Sequence, residues 1–71
     1  MNDTSVMVHV RFAPDGSVVE IGERPQWAAA QEWYDVLCNR IGGSFEFLSG
    51  GRGVFRAARA DIDSLKAAAV Q

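Results

Sequence analysis

The stretch VMVHVRFAPDGSVVEIG, residues 6–22, decides the fold, because two alternating apolar segments flank a turn. Every second residue of VMVHVRF is valine or phenylalanine, which is the pattern of a strand buried on one side. The proline, aspartate and glycine of APDGS favour a tight turn, and SVVEIG is the returning strand. This stretch is therefore predicted to form a β-hairpin with one apolar face.

The register of this hairpin follows from the rule that directly opposed residues point to the same face. A four-residue loop, 14–17, sets Val10 against Ile21 and Arg11 against Glu20. Apolar residues then pair on one face and opposite charges pair on the other. A loop one residue shorter would set Val10 against Glu20, unless a β-bulge restored the register. We therefore predict the four-residue loop.

A helix is predicted from Pro25 to about Arg40, because proline suits the first helical position and Gly42-Gly43 follow the last turn. Its apolar residues recur at spacings of three and four, as in a helix that lies on a sheet. This stripe consists of Trp27, Ala30, Tyr34, Leu37 and Ile41.

A second hairpin is predicted from SFEFL, residues 44–48, and VFRAA, residues 54–58. A five-residue loop centred on Gly51 matches the character of every opposed pair, with aromatic residues on one face and opposite charges on the other. The resulting pairs are Phe47 with Phe55, Glu46 with Arg56, and Leu48 with Val54.

The segment DIDSLKAAAVQ, residues 61–71, is predicted to form a short helix. Asp61 is a suitable N-cap, and Ile62, Leu65 and Ala69 recur at helical spacing. A helix of about ten residues is marginal alone, so it must dock on the rest of the domain.

The predicted fold is a single α+β domain over residues 1–71 with the element order ββαββα, and residues 1–5 are predicted to be disordered. One four-stranded antiparallel sheet, with the long helix and the short C-terminal helix on one face, buries both apolar sets. A long helix that returns the chain beside the first strand gives the strand order 2-1-3-4, which we take as the prediction.

The composition fits a small globular domain, since 48% of the 71 residues are hydrophobic and 23% are charged. The net charge is −2, but the first half is acidic and the second half basic, which favours protein partners over nucleic acid. Cys38 is the only cysteine, which excludes an internal disulfide and fits a reducing compartment. No apolar run approaches the roughly 20 residues of a membrane span, so we expect a cytoplasmic protein without membrane contact.

Few residues indicate catalysis or ligand binding. His9 is the only histidine and is predicted on the outer face of a strand, with no pocket implied around it. One histidine and one cysteine do not make a metal site, which needs three or four ligands. Cys38 is predicted at a helix C-terminus, where a thiol is not activated, and is interpreted as a small apolar residue at the edge of the core. We therefore expect no enzymatic activity, cofactor, metal or small-molecule substrate.

The stretch Gly50-Gly51-Arg52-Gly53 is the most distinctive motif in the chain. It lacks the Lys-Ser or Lys-Thr pair of a Walker loop, and the GXXG pattern of KH domains, which it matches, joins two helices rather than two strands. We predict a hairpin turn in which glycines supply positive φ. The alternative is weak binding of a nucleic-acid phosphate backbone, with Arg52, Arg56 and Arg59 as contacts.

The outer face of the predicted sheet carries Met7, Val18, Leu48 and Val54 and is apolar for an open surface, which indicates that a protein covers it. Trp33, at the margin of the helical stripe, is either a core residue or a partly exposed anchor. The sequence therefore favours a small non-catalytic protein–protein interaction module: a homodimer, a small subunit, or a regulator or inhibitor that docks on a larger protein. The predicted interface residues are Met7, Val18, Trp33, Leu48, Arg52, Val54 and Arg56.

Overall fold

The computed structural model describes residues 4–68, which form a four-stranded antiparallel sheet and two helices. The elements are β1 (Ser5–Phe12), β2 (Val18–Ile21), α1 (Ala30–Ile41), a 3-10 turn (Gly42–Ser44), β3 (Phe45–Leu48), β4 (Arg52–Ala58) and α2 (Arg59–Ala68). The predicted ββαββα order is confirmed, and both helices pack on one face of the sheet. Within the described residues, neither helix is long and apolar enough to cross a bilayer.

The first hairpin has both predicted pairs, Val10 with Ile21 and Arg11 with Glu20, but its loop is one residue shorter than predicted. The two observations agree because a β-bulge beyond Arg11 inserts one extra residue into β2. The shorter loop with a bulge, the alternative that the pattern left open, is therefore the observed solution.

The bulge changes which residues of β2 face the core. Phe12 lies opposite Val18, and the Ala13 N–H donates to the Ser17 carbonyl at 2.7 Å to close the loop. Val18 is 8% exposed and packs in the core, whereas Val19 is 48% exposed. The prediction that Val18 lies on the outer face is therefore wrong.

The strand order is β2-β1-β4-β3, which corrects the predicted order 2-1-3-4. The two longest strands, β1 and β4, pair in the centre of the sheet. α1 has 12 residues and is about 18 Å long, enough to cross four strands spaced about 4.8 Å apart. It begins beside β2, where the Gln31 side chain accepts a hydrogen bond from the Val18 N–H at 2.9 Å. The chain therefore emerges at the far edge, where β3 forms before β4 returns to β1.

α1 begins at Ala30, not at Pro25 as predicted. The preceding residues form turns, one of them closed by a hydrogen bond from the Ala28 N–H to the Pro25 carbonyl at 3.3 Å. This path allows Trp27 to donate its indole N–H to the Lys66 carbonyl of α2 at 3.0 Å. A contact between distant parts of the chain thus outweighs the preference of proline for a helix start.

α2 follows β4 without a loop and begins at Arg59, two residues before the predicted N-cap Asp61. Ile62 is fully buried and Leu65 is partly buried against the core, so the predicted docking of this helix is confirmed. Ala69, which was predicted to extend its apolar stripe, lies outside the described residues.

The N-terminal end of β1 is part of the sheet. Ser5 is its first residue, and the Thr4 carbonyl accepts a hydrogen bond from the Arg59 N–H at 2.8 Å. The predicted disorder of residues 1–5 is therefore wrong for residues 4 and 5, and residues 1–3 lie outside the described part of the chain.

The second hairpin pairs two residues away from the predicted register. Phe45 lies opposite Phe55, and Phe47 lies opposite Gly53. The strands extend to a pair between Leu48 and Arg52, which leaves a three-residue loop instead of five. The predicted pairs of Phe47 with Phe55, Glu46 with Arg56 and Leu48 with Val54 are therefore wrong.

Glycines make this register sterically accessible. Gly50 and Gly51 take positive φ values of 80° and 71°, so the tight turn that the motif predicted is confirmed. Gly53 lies under the ring of Phe45, and a Cβ at this position would approach the ring atom Cε1 to 2.7 Å. A larger residue than glycine would therefore push the Phe45 ring away from β4.

Candidate functional site

Phe47 is the most exposed of the large apolar side chains among residues 4–68, at 74%. Its ring centroid lies 4.8 Å from that of Phe45 and 6.0 Å from that of Phe12. These rings belong to an aromatic cluster that reaches into the core and consists of Phe12, Tyr34, Phe45, Phe47 and Phe55. Phe55 is fully buried, so Phe47 is the solvent-facing end of an anchored cluster.

β3 is an edge strand, and the hydrogen bonds of β4 fix the direction of its backbone groups. The Phe12 N–H donates to the Gly51 carbonyl at 2.8 Å, in line with the β1–β4 register. Because bonded residues alternate along a strand, odd-numbered residues of β4 bond β1 and even-numbered residues face β3. The backbone groups of Glu46 and Leu48 therefore bond β4. Phe47 instead directs its N–H and C=O away from β4, in the plane of the sheet.

The side of Phe45–Leu48 that faces away from β4, called the β3 edge below, is open to a further strand. The Phe45 N–H donates to the Gly42 carbonyl of the 3-10 turn, but no described backbone group pairs with Phe47 on that side. The opposite edge of the sheet differs, because Gln31 of α1 accepts the Val18 N–H of β2. A further strand can therefore add to the sheet along the β3 edge.

Three of the predicted interface residues are not accessible. Val18 and Trp33 belong to the core, and Trp33 is 0% exposed with its indole N–H donated to the Gly22 carbonyl at 3.1 Å. Val54 lies on the outer face between His9 and Glu46, but neighbouring side chains leave only 1% of it exposed. The outer face is therefore less apolar than the sequence predicted.

The other four predicted interface residues are accessible. Met7 is 50% exposed and Leu48 is 37% exposed, and the side chains of Arg52 and Arg56 also face solvent. Arg56 lies opposite Met7 and reaches Glu46 at 3.7 Å, so charged groups separate the two apolar residues. Leu48 is thus the accessible apolar residue of the outer face that adjoins the β3 edge.

A shallow cleft of about 700 Å³ lies along β1 and β2 and extends around the β2 edge to Ala30 of α1. It is lined in part by His9, Arg11, Arg24 and Arg52, and Arg11 is held by Glu20 at 2.9 Å. Arg11 directly opposes Arg52, so this region carries an excess of positive charge. Within residues 4–68 no hydrogen bond or ion pair engages the His9 ring, and acid–base catalysis needs such a partner.

Arg59 does not join Arg52 and Arg56. It lies on the helical side, where it donates to both carboxylate oxygens of Glu23 at 2.9 and 2.8 Å. Lys66 donates to the same carboxylate at 2.7 Å. Hydrogen bonds from Arg59, and then from Lys66, lower the pKa of Glu23 to about 2. The three arginines predicted as nucleic-acid contacts are therefore not assembled on one surface.

Cys38 does not occupy the position that the sequence predicted. Cys38 is exposed, not at the edge of the core as predicted, and lies beside Tyr34. Burial in the aromatic cluster, followed by the Cys38 thiol, raises the pKa of Tyr34 to about 12. Among residues 4–68, no three histidine, cysteine, aspartate or glutamate side chains converge as metal ligands.

Comparison with protein-family models, with curated proteins and with solved structures finds no match to this chain. Function must therefore be inferred from the geometry of the surface. Phe47 was not among the predicted interface residues, because the predicted register placed it against Phe55 in the interior of the sheet. The signal that identifies it is Gly53, which allows the register in which Phe47 reaches the rim of the sheet.

Proposed function

We propose that this protein is a small non-catalytic protein–protein interaction module that binds its partner through the β3 edge. The observation that carries the proposal is Phe47, which is 74% exposed on an edge strand and directs its own backbone N–H and C=O away from β4. Scattered apolar residues are ordinary on protein surfaces. Phe47 differs because its ring packs edge-to-face against Phe45 of an anchored cluster while its backbone N–H and C=O are open to an added strand.

Residues around Phe47 would supply the rest of the contact. Leu48 is 37% exposed on the opposite face of β3, and it adds apolar area next to the edge. Arg52 and Arg56 lie on the same outer face, where charges favour one orientation of a partner over others. Met7 lies two strands away from the edge, on the central strand β1, so it lies outside the proposed contact.

Catalysis is not part of this proposal. His9 lines an open cleft without a described partner, and a general acid or base needs a partner and a pocket that excludes water. Nucleic-acid binding is also left out, because Arg59 is held by Glu23 away from Arg52 and Arg56. We propose the cytoplasm as the location, since the exposed thiol of Cys38 suits a reducing compartment.

Affinity capture with matched variants tests the proposal. The wild-type chain, Phe47→Lys and Met7→Lys are immobilised, and the proteins retained from cells of the source organism are quantified together with added free chain. We expect one protein, which can be the chain itself, to bind the wild type and Met7→Lys but not Phe47→Lys. Binding that is equal for all three chains would contradict the proposal. A captured protein that, once purified, binds none of the three chains would contradict it as well.

A further inference from the structure

We infer that the partner of the β3 edge is a second copy of this chain, with the two β3 strands antiparallel and the two Phe47 residues directly opposed. This inference rests on the proposed function and specifies its partner. A symmetric dimer of this kind joins two four-stranded sheets into one continuous sheet. It covers the β3 edge of each copy at the same time.

Side chains of β3 distinguish two registers for such a pair. Both registers keep the aromatic residues on one face, because directly opposed residues share a face. In the first, Glu46 opposes Glu46 of the second copy, so like charges meet on the outer face. In the second, Phe47 opposes Phe47, and each Glu46 opposes Leu48 of the other copy. The second register avoids the repulsion and brings the two exposed rings together.

The backbone selects the same register. The first register requires a hydrogen-bonded pair between Phe45 and Phe47, but the Phe45 N–H is already donated to the Gly42 carbonyl. In the second register Phe47 pairs with its own symmetry equivalent. Each Phe47 then donates its N–H to the other and accepts in return, which satisfies all four edge groups of the two residues.

Charges on the outer face are complementary in this register. Leu48 lies beside Arg52, and Glu46 of the second copy would lie on the other side of Leu48. Arg52 and that Glu46 are then two strand spacings, or about 10 Å, apart between Cα atoms, a distance that their long side chains can bridge. Arg52 makes no ion pair within residues 4–68, so it is available for this contact, which occurs twice by symmetry.

The size of the contact sets the expected affinity. β3 has four residues, so the interface contains few backbone hydrogen bonds and one central aromatic pair. The surface that two four-residue strands bury between them lies below the roughly 1,000 Å² that is typical of stable interfaces. We therefore expect a concentration-dependent dimer with a Kd between about 10 μM and 1 mM.

Sedimentation velocity over a wide concentration range tests for the dimer. The wild type is expected to shift from monomer to dimer, Phe47→Lys to weaken association at least about tenfold, and Met7→Lys to leave it unchanged. Phe47→Ser serves as a milder variant, and circular dichroism melts confirm that each variant folds. A monomer at about 2 mM, or an undiminished dimer of Phe47→Lys, would overturn the inference.

Nuclear magnetic resonance on a mixture of labelled and unlabelled chains tests the register. We expect intermolecular contacts between the α protons of Glu46 and Leu48, and slower amide exchange of Phe47 as the concentration rises. The Glu46 amide, which is already bonded to β4, is the internal control. Contacts that place Glu46 against Glu46 would overturn the register.

The dimer and the proposed function can fail separately. If the wild type stays monomeric but binds another protein in a manner that depends on Phe47, the dimer is wrong and the proposed function stands. If the wild type neither dimerises nor binds another protein through Phe47, both are wrong.

Discussion

Replacing Glu23 by glutamine is expected to loosen α2 from the rest of the domain. Glu23 lies in the turn after β2, and its carboxylate accepts hydrogen bonds from Arg59 and Lys66, both in α2. Its φ of 61° is in the left-handed region, which costs a glutamate about 1 kcal/mol. The two hydrogen-bonded cations offset this strain. Glutamine keeps the length of the side chain but removes the charge that both cations need.

The pKa of Glu23 sets the magnitude of the loss. Its value falls from 4.5 to about 2, mainly because Arg59 and then Lys66 donate to the carboxylate. Without solvent screening, such a shift would correspond to roughly 3 kcal/mol of stability. The side chains of Glu23 and Arg59 are 26% and 38% exposed, so screening reduces the expected loss to about 1 to 2 kcal/mol. In a domain of 71 residues this lowers Tm by about 5 to 15 °C.

The pH dependence gives an independent check. Because folding lowers the pKa of Glu23, its contribution is present above pH 4.5 and is lost as the pH falls towards about 2. The difference in unfolding free energy between wild type and Glu23→Gln should therefore shrink over this range in urea denaturation. Glu20→Gln is the matched control, since the Arg11–Glu20 pair is 56% and 68% exposed and should contribute less than about 0.5 kcal/mol. Equal losses for the two variants, or a difference that does not depend on pH, would refute the reasoning.

Three further substitutions test other parts of the molecule. Gly53→Ala should cost about 1 to 3 kcal/mol in chemical denaturation, because its Cβ would lie 2.7 Å from a ring atom of β3 and 3.2 Å from a backbone carbonyl. Gly43→Ala is its control, since no atom outside the local backbone lies within 4 Å of the new Cβ. Burial raises the pKa of Tyr34 from 10.0 to about 12, so the folded state holds this proton more tightly than the unfolded chain and its stability should fall as the pH rises through this range. Thermal melts of Tyr34→Phe should lack that fall. Arg52→Glu should stabilise the fold by up to about 0.5 kcal/mol at low salt, because Arg52 directly opposes Arg11; a gain that persisted at high salt would contradict the electrostatic cause.

Local periodicity predicted the elements but not their arrangement. Alternating valines define β1, and the spacing of apolar residues defines α1. Each of these patterns was readable because it involves only residues that are close together in the sequence. The start of α1 escaped prediction since it depends on the contact between Trp27 and Lys66, which are 39 residues apart. The strand order also escaped it, because the order depends on how far α1 reaches across the sheet. The central pair Val10 with Ile21 was predictable, but the bulge that gives it a shorter loop was only one of two solutions.

The wrong register of the second hairpin and the failure to predict the candidate site have one cause. A slip of two residues keeps every side chain on its face, so alternation cannot distinguish the predicted register from the observed one. The choice depends on steric detail, because only a glycine at position 53 lets the Phe45 ring lie across β4. In the predicted register Phe47 would lie against Phe55 and be buried; in the observed one it moves towards the loop and is 74% exposed. Burying a phenylalanine is worth about 1.5 to 3 kcal/mol, and the isolated domain forgoes most of that gain at Phe47. That unused stabilisation becomes available when a partner covers the ring, which is why we assign this residue to binding and not to folding.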